Sequence, residues 1–321
     1  MELWKEFFPN LNDPSFTQKN ARITNAGIYF VNFAQFHGLG SEGVIVLSGN
    51  PSTALLVFAS SFKDSFKSSG QGGSINLIQG SIVQYHICST GCHDNPSTGW
   101  GGHSYTEVTK TPNTPNYLIE STISRCKTSS RAFEHDFGSI LVQSTNTSHY
   151  KGSDMAAFCL SRANNTGEVK FSLIVNNSCH NPCVGYSRSN YISIYCQFIE
   201  NSNSETSYGI IHVQIGSSAS FSNCSFVKNA GSRLFSLYES SASITNCFIK
   251  NPNCPTGSGS IGSTYPDQLE IVLLLLSTNQ CNANNKLMNP IIVVKPSYIT
   301  KYIPYLTLDL LIVPTQILFV I

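Results

Sequence analysis

The segment CSFVKN at residues 224–229 is the strongest indicator of the fold, because the chain contains three versions of it. CQFIEN precedes it at residues 196–201, and the shorter CFIKN follows at residues 247–251. The last two copies extend backward, where SSASFSNC at residues 217–224 lies over SSASITNC at residues 240–247 with six of eight positions identical. This constant offset of 23 residues predicts an array of stacked supersecondary units.

The repeated unit alternates apolar and polar residues with a period of two, which is typical of short strands with one buried face. IHVQI at residues 211–215 shows this pattern, and ASF at residues 219–221 repeats it after a turn at Gly216. Asparagine is the non-glycine residue best suited to the left-handed conformation that such corners require. Three short strands and three corners per turn predict an all-β fold, a right-handed single-stranded parallel β-helix.

Weaker copies of the unit extend the predicted β-helix upstream. They lie at residues 54–62, 82–88, 123–126 and 173–176. In the last of them, Asn176 takes the asparagine position of the repeat. The spacing is irregular, so we expect loops to protrude between coils at residues 91–115 and 144–166. At roughly two dozen residues for each coil, the chain has room for about nine coils.

The sequence divides into three parts. Residues 1–22 form an N-terminal flank or cap, since the short amphipathic stretch at the start lacks the apolar core of a signal peptide. Residues 23–255 form the β-helix. Residues 256–321 form an atypical apolar segment that could cover the last coil, anchor the chain in a membrane, or be poorly ordered or non-native. Its last sixteen residues fall short of the ~20 that a spanning helix needs.

Stacked coils place equivalent residues about 4.8 Å apart, so identical side chains form ladders. We expect an aromatic column of Phe198, Phe226 and Phe248. We expect an amide ladder of Asn201, Asn229 and Asn251, because stacked asparagines hydrogen-bond along the axis. We expect a buried thiol column of Cys196, Cys224 and Cys247, although oxidation between coils stays open.

Two motifs point to a known family. Phe-x-x-Asn occurs at residues 198–201, 226–229 and 248–251, each time with a cysteine just before it. GGSI at residues 72–75 has the form Gly-Gly-x-Ile, with Ser74 in place of a small aliphatic residue. These motifs resemble the polymorphic outer membrane protein repeats of chlamydial autotransporters and the similar surface proteins of trichomonad parasites. The resemblance implies a stalk at the cell surface or outside the cell that serves adhesion or antigen display, without catalytic residues.

Composition agrees with a protein of the cell exterior. Only 12% of the residues are charged, against about 25% in an average soluble domain. The net charge of +1 and the absence of a basic run argue against nucleic acid as a partner. Host-cell surface components or carbohydrate are the expected partners, and a membrane contact through the C-terminal tail stays open.

Eleven cysteines allow several readings. The Cys-x3-Cys pairs at residues 88–92 and 179–183 each have an adjacent histidine, so zinc is conceivable. The two pairs are about 90 residues apart, which favours loop disulfides or free thiols, and we predict no metal and no cofactor. The sequons at Asn146 and Asn164 lie in predicted loops and could carry glycans if the chain is secreted.

A glycine-rich loop groups Trp100, His103 and Tyr105, which could stack on a sugar ring. The alternative for each is a residue that folds back on the coil. A carbohydrate-active enzyme on a β-helix would need carboxylates that face one another. In the sequence the acidic residues are scattered, and fold alone does not establish function.

Three functional hypotheses follow. The first is a non-enzymatic surface module of the adhesion or antigen-display type. The second is a carbohydrate-active enzyme, which would gain support from three or more carboxylates within about 6 Å on one open strand face. The third is an intracellular scaffold.

Overall fold

The fold is a parallel β-helix in a computed structural model that describes residues 2–17, 21–94, 99–126, 131–251, 254–267 and 269. Further along the chain it describes the backbone of residues 274–276 and 290–292. One short helix, α1 (Glu2–Phe7), precedes the strands. Nearly all the regular structure in the described ranges is β.

The strands follow one another in a repeating order. The first twelve are β1 (Ser15–Thr17), β2 (Ile28–Asn32), β3 (Gln35–His37), β4 (Ile45–Ser48), β5 (Ala54–Phe58), β6 (Ser61–Lys63), β7 (Ile75–Ile78), β8 (Ser81–Tyr85), β9 (Cys88–Thr90), β10 (Ser104–Glu107), β11 (Pro115–Ile119) and β12 (Thr122–Ser124). The next twelve are β13 (Phe133–Asp136), β14 (Ser139–Gln143), β15 (Asn146–Ser148), β16 (Lys151–Gly152), β17 (Phe158–Ser161), β18 (Gly167–Lys170), β19 (Leu173–Val175), β20 (Ser178–Cys179), β21 (Val184–Ser187), β22 (Asn190–Ile194), β23 (Gln197–Ile199) and β24 (Ser202–Asn203). The last nine are β25 (Ile211–Gln214), β26 (Ser218–Ser222), β27 (Ser225–Val227), β28 (Phe235–Tyr238), β29 (Ser241–Thr245), β30 (Phe248–Lys250), β31 (Ser260–Ile261), β32 (Leu274–Leu276) and β33 (Pro290–Ile292).

Three long sheets form the walls of the helix. Sheet A has eleven strands in the order β1-β2-β5-β8-β11-β14-β18-β22-β26-β29-β31. Sheet B has eight strands, β4-β7-β10-β13-β17-β21-β25-β28, and sheet C has nine, β3-β6-β9-β12-β15-β19-β23-β27-β30. A small fourth sheet, β16-β20-β24, lies between sheets C and B in sequence. All pairings in these four sheets are parallel, so each turn stacks on the one before it, as the offset of 23 residues predicted.

The corner after each sheet A strand from β2 to β29 is a residue with positive φ. Phe171, Tyr195 and Asn223 have φ of 49°, 53° and 54°. Each backbone N–H still donates to the next coil, as from Phe171 to the carbonyl of Ile194 over 3.0 Å. The expectation that asparagine fills the corners was too narrow, because only three of the 23 described non-glycine residues with positive φ are asparagine. Hydrogen bonds to neighbouring coils hold the corners and offset the strain.

The interior is a continuous apolar column, because each coil covers the apolar face of the next. Aromatic rings stack within it along the axis. Phe133 and Phe158 have ring centroids 5.2 Å apart and planes inclined by 22°. Phe36 and Phe62 stack in the same way at 5.0 Å.

Helix α1 lies on the side of the β-helix. Trp4 and Phe8 are buried against Phe30, Leu56 and Val83, which form an apolar patch on the outer face of sheet A. The edge of the first coil in that sheet is covered by β1, which pairs with β2. Within the N-terminal segment that was expected to be a flank or cap, β1 therefore covers the first coil, whereas α1 packs on the side because the outer face of the first sheet A strands is itself apolar.

Both predicted loops contain strands. The first, at residues 91–115, includes β10, and the second, at residues 144–166, includes β15, β16 and β17. Sequence reasoning missed them because several, such as NTS in β15, carry no apolar alternation. The side chains of these strands belong to the walls of the β-helix. The candidate residues predicted to lie in loops at these positions therefore need a different interpretation.

The β-helix continues a little past residue 255. Ser260–Ile261 pairs with β29, and the N–H of Tyr265 donates to the carbonyl of Cys247 over 2.8 Å. Strands β32 and β33 pair with each other in antiparallel fashion. The rest of the apolar segment, including the candidate anchor at residues 306–321, lies outside the described residues. Within the described ranges, no helix has the length and apolarity to cross a membrane.

Replacing Phe226 with serine tests the core directly. The ring is fully buried between the rings of Phe198 and Phe235, so we expect the free energy of unfolding to fall by about 3–5 kcal/mol. Urea denaturation followed by circular dichroism measures this change. A loss below about 1 kcal/mol would show that Phe226 contributes little to the core.

Candidate functional site

The amide ladder runs along the corner that follows sheet C. The Nδ2 group of Asn201 donates to Oδ1 of Asn229 over 3.1 Å, and Nδ2 of Asn229 donates to Oδ1 of Asn251 over 3.0 Å. Each Oδ1 also accepts the backbone N–H of the preceding asparagine. Asn201 and Asn229 are fully or almost fully buried. The ladder therefore satisfies backbone and side-chain donors at once.

A fourth asparagine begins this ladder, and it is Asn177. Its Nδ2 donates to Oδ1 of Asn201 over 2.9 Å, and its own Oδ1 accepts the N–H of Tyr150. The sequence pattern had assigned Asn176 to this position. Asn176 is instead an exposed corner residue with φ of 53°, because the register pairs Val175 with Ile199.

The aromatic column holds two of its three expected members. The rings of Phe198 and Phe226 stack at 5.0 Å with planes inclined by 14°. Phe248 does not join them, because the register pairs Phe226 with Ile249 and Phe248 with Ser225. The third copy of the repeat has one residue fewer after its cysteine, and pairing of the preceding strand fixes the register.

The three repeat cysteines are free, buried thiols in one column. The backbone N–H of Cys224 donates to Sγ of Cys247 over 3.3 Å, and burial raises the pKa of the Cys224 thiol well above its usual value. Four earlier coils carry a hydroxyl at this position, whereas Ala34 and Ile87 occupy it in two others. The four hydroxyl residues are Ser60, Ser121, Thr145 and Ser172. The column is structural, since each hydroxyl and thiol binds a carbonyl two residues earlier.

The two Cys-x3-Cys pairs differ from each other. Cys179 and Cys183 form a disulfide, whereas Cys92 is a free and fully buried thiol. No group of three or more histidine, cysteine, aspartate or glutamate side chains is placed to hold a metal ion in the part of the chain that the structure describes.

The two sequons differ in their surroundings. Asn146 begins β15 and is half-buried, so it is not in a loop as expected. Asn164 is exposed, and its Oδ1 accepts the N–H of Gly138 over 2.7 Å. A glycan attaches to the nitrogen of the amide, whereas this hydrogen bond uses the oxygen. The exposed Asn164 is therefore the more accessible of the two acceptors.

Most of the predicted aromatic loop belongs to the wall of the β-helix. His103 and Tyr105 are buried at the start of β10, and Tyr105 donates its hydroxyl hydrogen to Oε2 of Glu107 over 3.2 Å. Trp100 remains 42% exposed, and the guanidinium of Arg131 lies 4.9 Å from the centroid of its ring. The three residues therefore do not form an open sugar-binding loop.

His103 faces the interior of the β-helix. Its Nε2 hydrogen-bonds to Oε1 of Gln84 over 2.9 Å, and the amide nitrogen of Gln84 lies 3.5 Å from Nε2 of His135. His135 in turn binds the carbonyl of Asn116 through Nδ1 over 3.2 Å. Burial lowers the pKa of His103 to about 3 and that of His135 to about 4, so both rings are neutral at pH 7.

The outer face of sheet B carries a cluster of charges. The register places Tyr105 beside Glu134, and Glu107 beside Asp136. Glu134 forms an ion pair with Arg131, and both oxygens of Asp136 accept from Arg162, one of them from Nε over 2.8 Å. Three carboxylates thus lie on one strand face, although Glu134 and Asp136 are buried.

Burial dominates the titration of this cluster. It raises the pKa of Glu134 to about 7, even though the Arg131 guanidinium acts in the opposite direction. Burial also raises the pKa of Asp136 above its usual value, against the effect of Arg162. Sequence reasoning missed the cluster because residues 107, 134 and 136 meet only through the strand register.

A cleft of about 280 Å³ continues along this face. Its lining residues are Arg131, Asp154, Met155, Asn181, Pro182, Tyr208, His212 and Gln214. Loops from three successive coils form one wall and are joined by backbone bonds, such as Asn181 N–H to the carbonyl of Ser153 and Glu205 N–H to that of His180, both 2.8 Å. The Cys179–Cys183 disulfide closes the middle loop.

Gly185 lies beneath Met155 in the floor of the cleft. A Cβ on Gly185 would lie 2.4 Å from Sδ of Met155, so a larger residue there would require the Met155 side chain to shift. His212 follows in the next coil, where Nδ1 lies 2.9 Å from Oγ of Ser236. Burial lowers the pKa of His212, which keeps its ring neutral at pH 7.

Comparison with known proteins adds nothing to this geometry. No protein family, no curated protein and no solved structure matches the chain.

Proposed function

We propose that the chain is a non-enzymatic β-helix module exposed at the cell surface, of the adhesion or antigen-display type. The observation that carries this proposal is the pairing of the carboxylates on sheet B. Glu134 and Asp136 are buried in ion pairs with Arg131 and Arg162, an arrangement that compensates their charge and withholds the carboxylates from a substrate. The motif resemblance to chlamydial and trichomonad surface proteins points the same way.

The disulfide supports a location outside the cytoplasm. Disulfides persist in oxidising compartments and are rare in cytosolic proteins. The Cys179–Cys183 bond therefore favours the surface module over the intracellular scaffold. The seven free cysteines among the described residues do not oppose this interpretation, because all seven are buried.

A carbohydrate-active enzyme is the second candidate, and one observation favours it. The carboxyl of Glu134, with a pKa of about 7, stands beside Tyr105 and on the same face as Glu107 and Asp136. A carboxyl that titrates near neutrality suits general acid–base catalysis. The non-enzymatic reading is stronger because Glu134 is only 5% exposed and bound to Arg131.

Labelling of intact cells with a membrane-impermeant amine reagent tests the surface location. With a reagent that transfers biotin to amines, we expect labelling of Lys228, whose side chain is 68% exposed. Mass spectrometry of the labelled peptide identifies the site. A cytosolic protein of the same cells serves as the negative control. Labelling of Lys228 only after permeabilisation, with the protein expressed, would replace the surface proposal by the scaffold.

A further inference from the structure

We propose that the cleft between Arg131 and Gln214 on the outer face of sheet B binds one ring of a neutral carbohydrate. The site is distinct from the aromatic loop that the sequence suggested, since neither His103 nor Tyr105 lines it. The proposal concerns binding by the isolated chain and is independent of where the chain is located.

The charges of the cleft select a neutral ligand. Arg131 is 9% exposed and its guanidinium is held by Glu134 and, over 3.3 Å, by Asp154. His212 is neutral at pH 7 because burial lowers its pKa. The positive charge in the lining is therefore already compensated, and an anionic ligand would gain no free cation there.

The polar groups of the cleft match a polyhydroxylated ring. Asn181 and Gln214 each offer a donor and an acceptor on one planar amide, and Asp154, 30% exposed, offers carboxylate oxygens. Nε of Arg131 is buried and has no acceptor among the described residues. Vicinal hydroxyl groups both donate and accept, so they satisfy such a mixed set better than a purely donating or accepting ligand.

The apolar part of the cleft suits the C–H face of the same ring. Tyr208 is half-buried and stands edge-on to His212, with ring centroids 5.0 Å apart and planes inclined by 80°. Met155 and Pro182 complete this side. The lining as a whole is mainly polar, so this apolar side is its smaller part, as a ligand with many hydroxyl groups and one C–H face requires.

The wall that carries these groups is fixed before any ligand binds. The loop with Asn181 and Pro182 is bonded to the loops on both sides and closed by the Cys179–Cys183 disulfide. A site that is already ordered loses less conformational entropy when a ligand binds to it.

Calorimetric titration of the full chain with hexasaccharides tests the proposal. Neutral probes are hexamers of glucose, mannose, xylose and N-acetylglucosamine, and anionic probes are a galacturonic acid hexamer and a sulfated heparin hexamer. We expect at least one neutral probe to bind. Tyr208→Ala should lower its affinity about tenfold or more through loss of the ring contact, while Tyr208→Phe keeps most of it.

Tyr195→Ala is the matched control, because Tyr195 lies at the corner after β22 of sheet A, away from the cleft on sheet B, and is 41% exposed. Its affinity should equal that of the unaltered chain. Binding of the anionic probes alone, binding that Tyr208→Ala leaves unchanged, or no binding of any neutral probe overturns the proposal. Release of shortened products from a bound probe would support the site and move the proposed function to the enzyme.

Discussion

Asn201→Leu should lower the free energy of unfolding by about 3–5 kcal/mol, because it breaks the amide ladder at a buried position. Oδ1 of Asn201 accepts both the backbone N–H and Nδ2 of Asn177, and its Nδ2 donates to the carbonyl of Ile174. Leucine has a similar volume but none of these partners, so the donors of Asn177 lose their acceptor away from water. Urea denaturation with circular dichroism detection measures the change.

Asn190→Leu is the matched control for the ladder. Asn190 is exposed on β22 and has one side-chain hydrogen bond, from the hydroxyl of Ser218. The same substitution there should change the free energy of unfolding by no more than about 1 kcal/mol. Equal losses for the two variants, or a loss below about 1 kcal/mol at Asn201, would mean that the ladder adds little to stability.

Acid should destabilise the β-helix strongly between pH 6.5 and pH 4. The pKa of His103 is about 3 and that of His135 about 4 in the folded chain, against 6.5 for a free histidine. In this window the unfolded chain binds more protons, so the stability present above pH 6.5 is lost as the pH falls. Each group contributes a slope of up to about 1.4 kcal/mol per pH unit.

Geometry gives the reason for this sensitivity. The amide of Gln84 lies between the two rings, and Nδ1 of His103 has no partner in the described structure. A proton added to His103 would sit on that unpartnered nitrogen in an apolar interior. Glu134 and Asp136, whose pKa values burial raises, act in the opposite direction, whereas His212, whose pKa burial lowers, acts in the same direction as the two histidines beside Gln84.

The free energy of unfolding of His103→Gln, measured at several pH values, isolates the contribution of His103 from that of His135. We expect a slope about 1.4 kcal/mol per pH unit shallower than that of the unaltered chain between pH 6 and pH 4. His149→Gln, at an exposed corner, should keep the original slope. An unchanged slope in His103→Gln, or a chain equally stable at pH 7 and pH 4, would contradict the assignment.

Sequence reasoning predicted the fold because the offset between two repeats is itself a strand register. The pairing of Ala219 with Ala242 follows from the match of SSASFSNC and SSASITNC. The same reasoning misplaced Phe248, because a repeat shortened by one residue can be aligned by its cysteine or by its phenylalanine. Only the preceding strand decides between these alignments.

The candidate site was beyond sequence reasoning. Asp154, Asn181, Tyr208 and His212 come from three successive coils and share no motif. They meet because loops of unequal length stack at one corner, and the stacking depends on backbone bonds that leave no trace in residue type. His103 was taken for a loop residue because the short strand after it, SYTE, shows no apolar alternation.

The positive-φ corners have a consequence for how this chain can vary. Phe171, Tyr195 and Ile215 occupy them although residues of these kinds avoid that conformation, and each is more than a third exposed. The backbone ladder, and not the corner side chain, therefore dictates the bend. Such positions can exchange an aromatic, a charged or an aliphatic residue while the coil register stays the same. The chemistry of the outer surface can therefore change without a change in the fold.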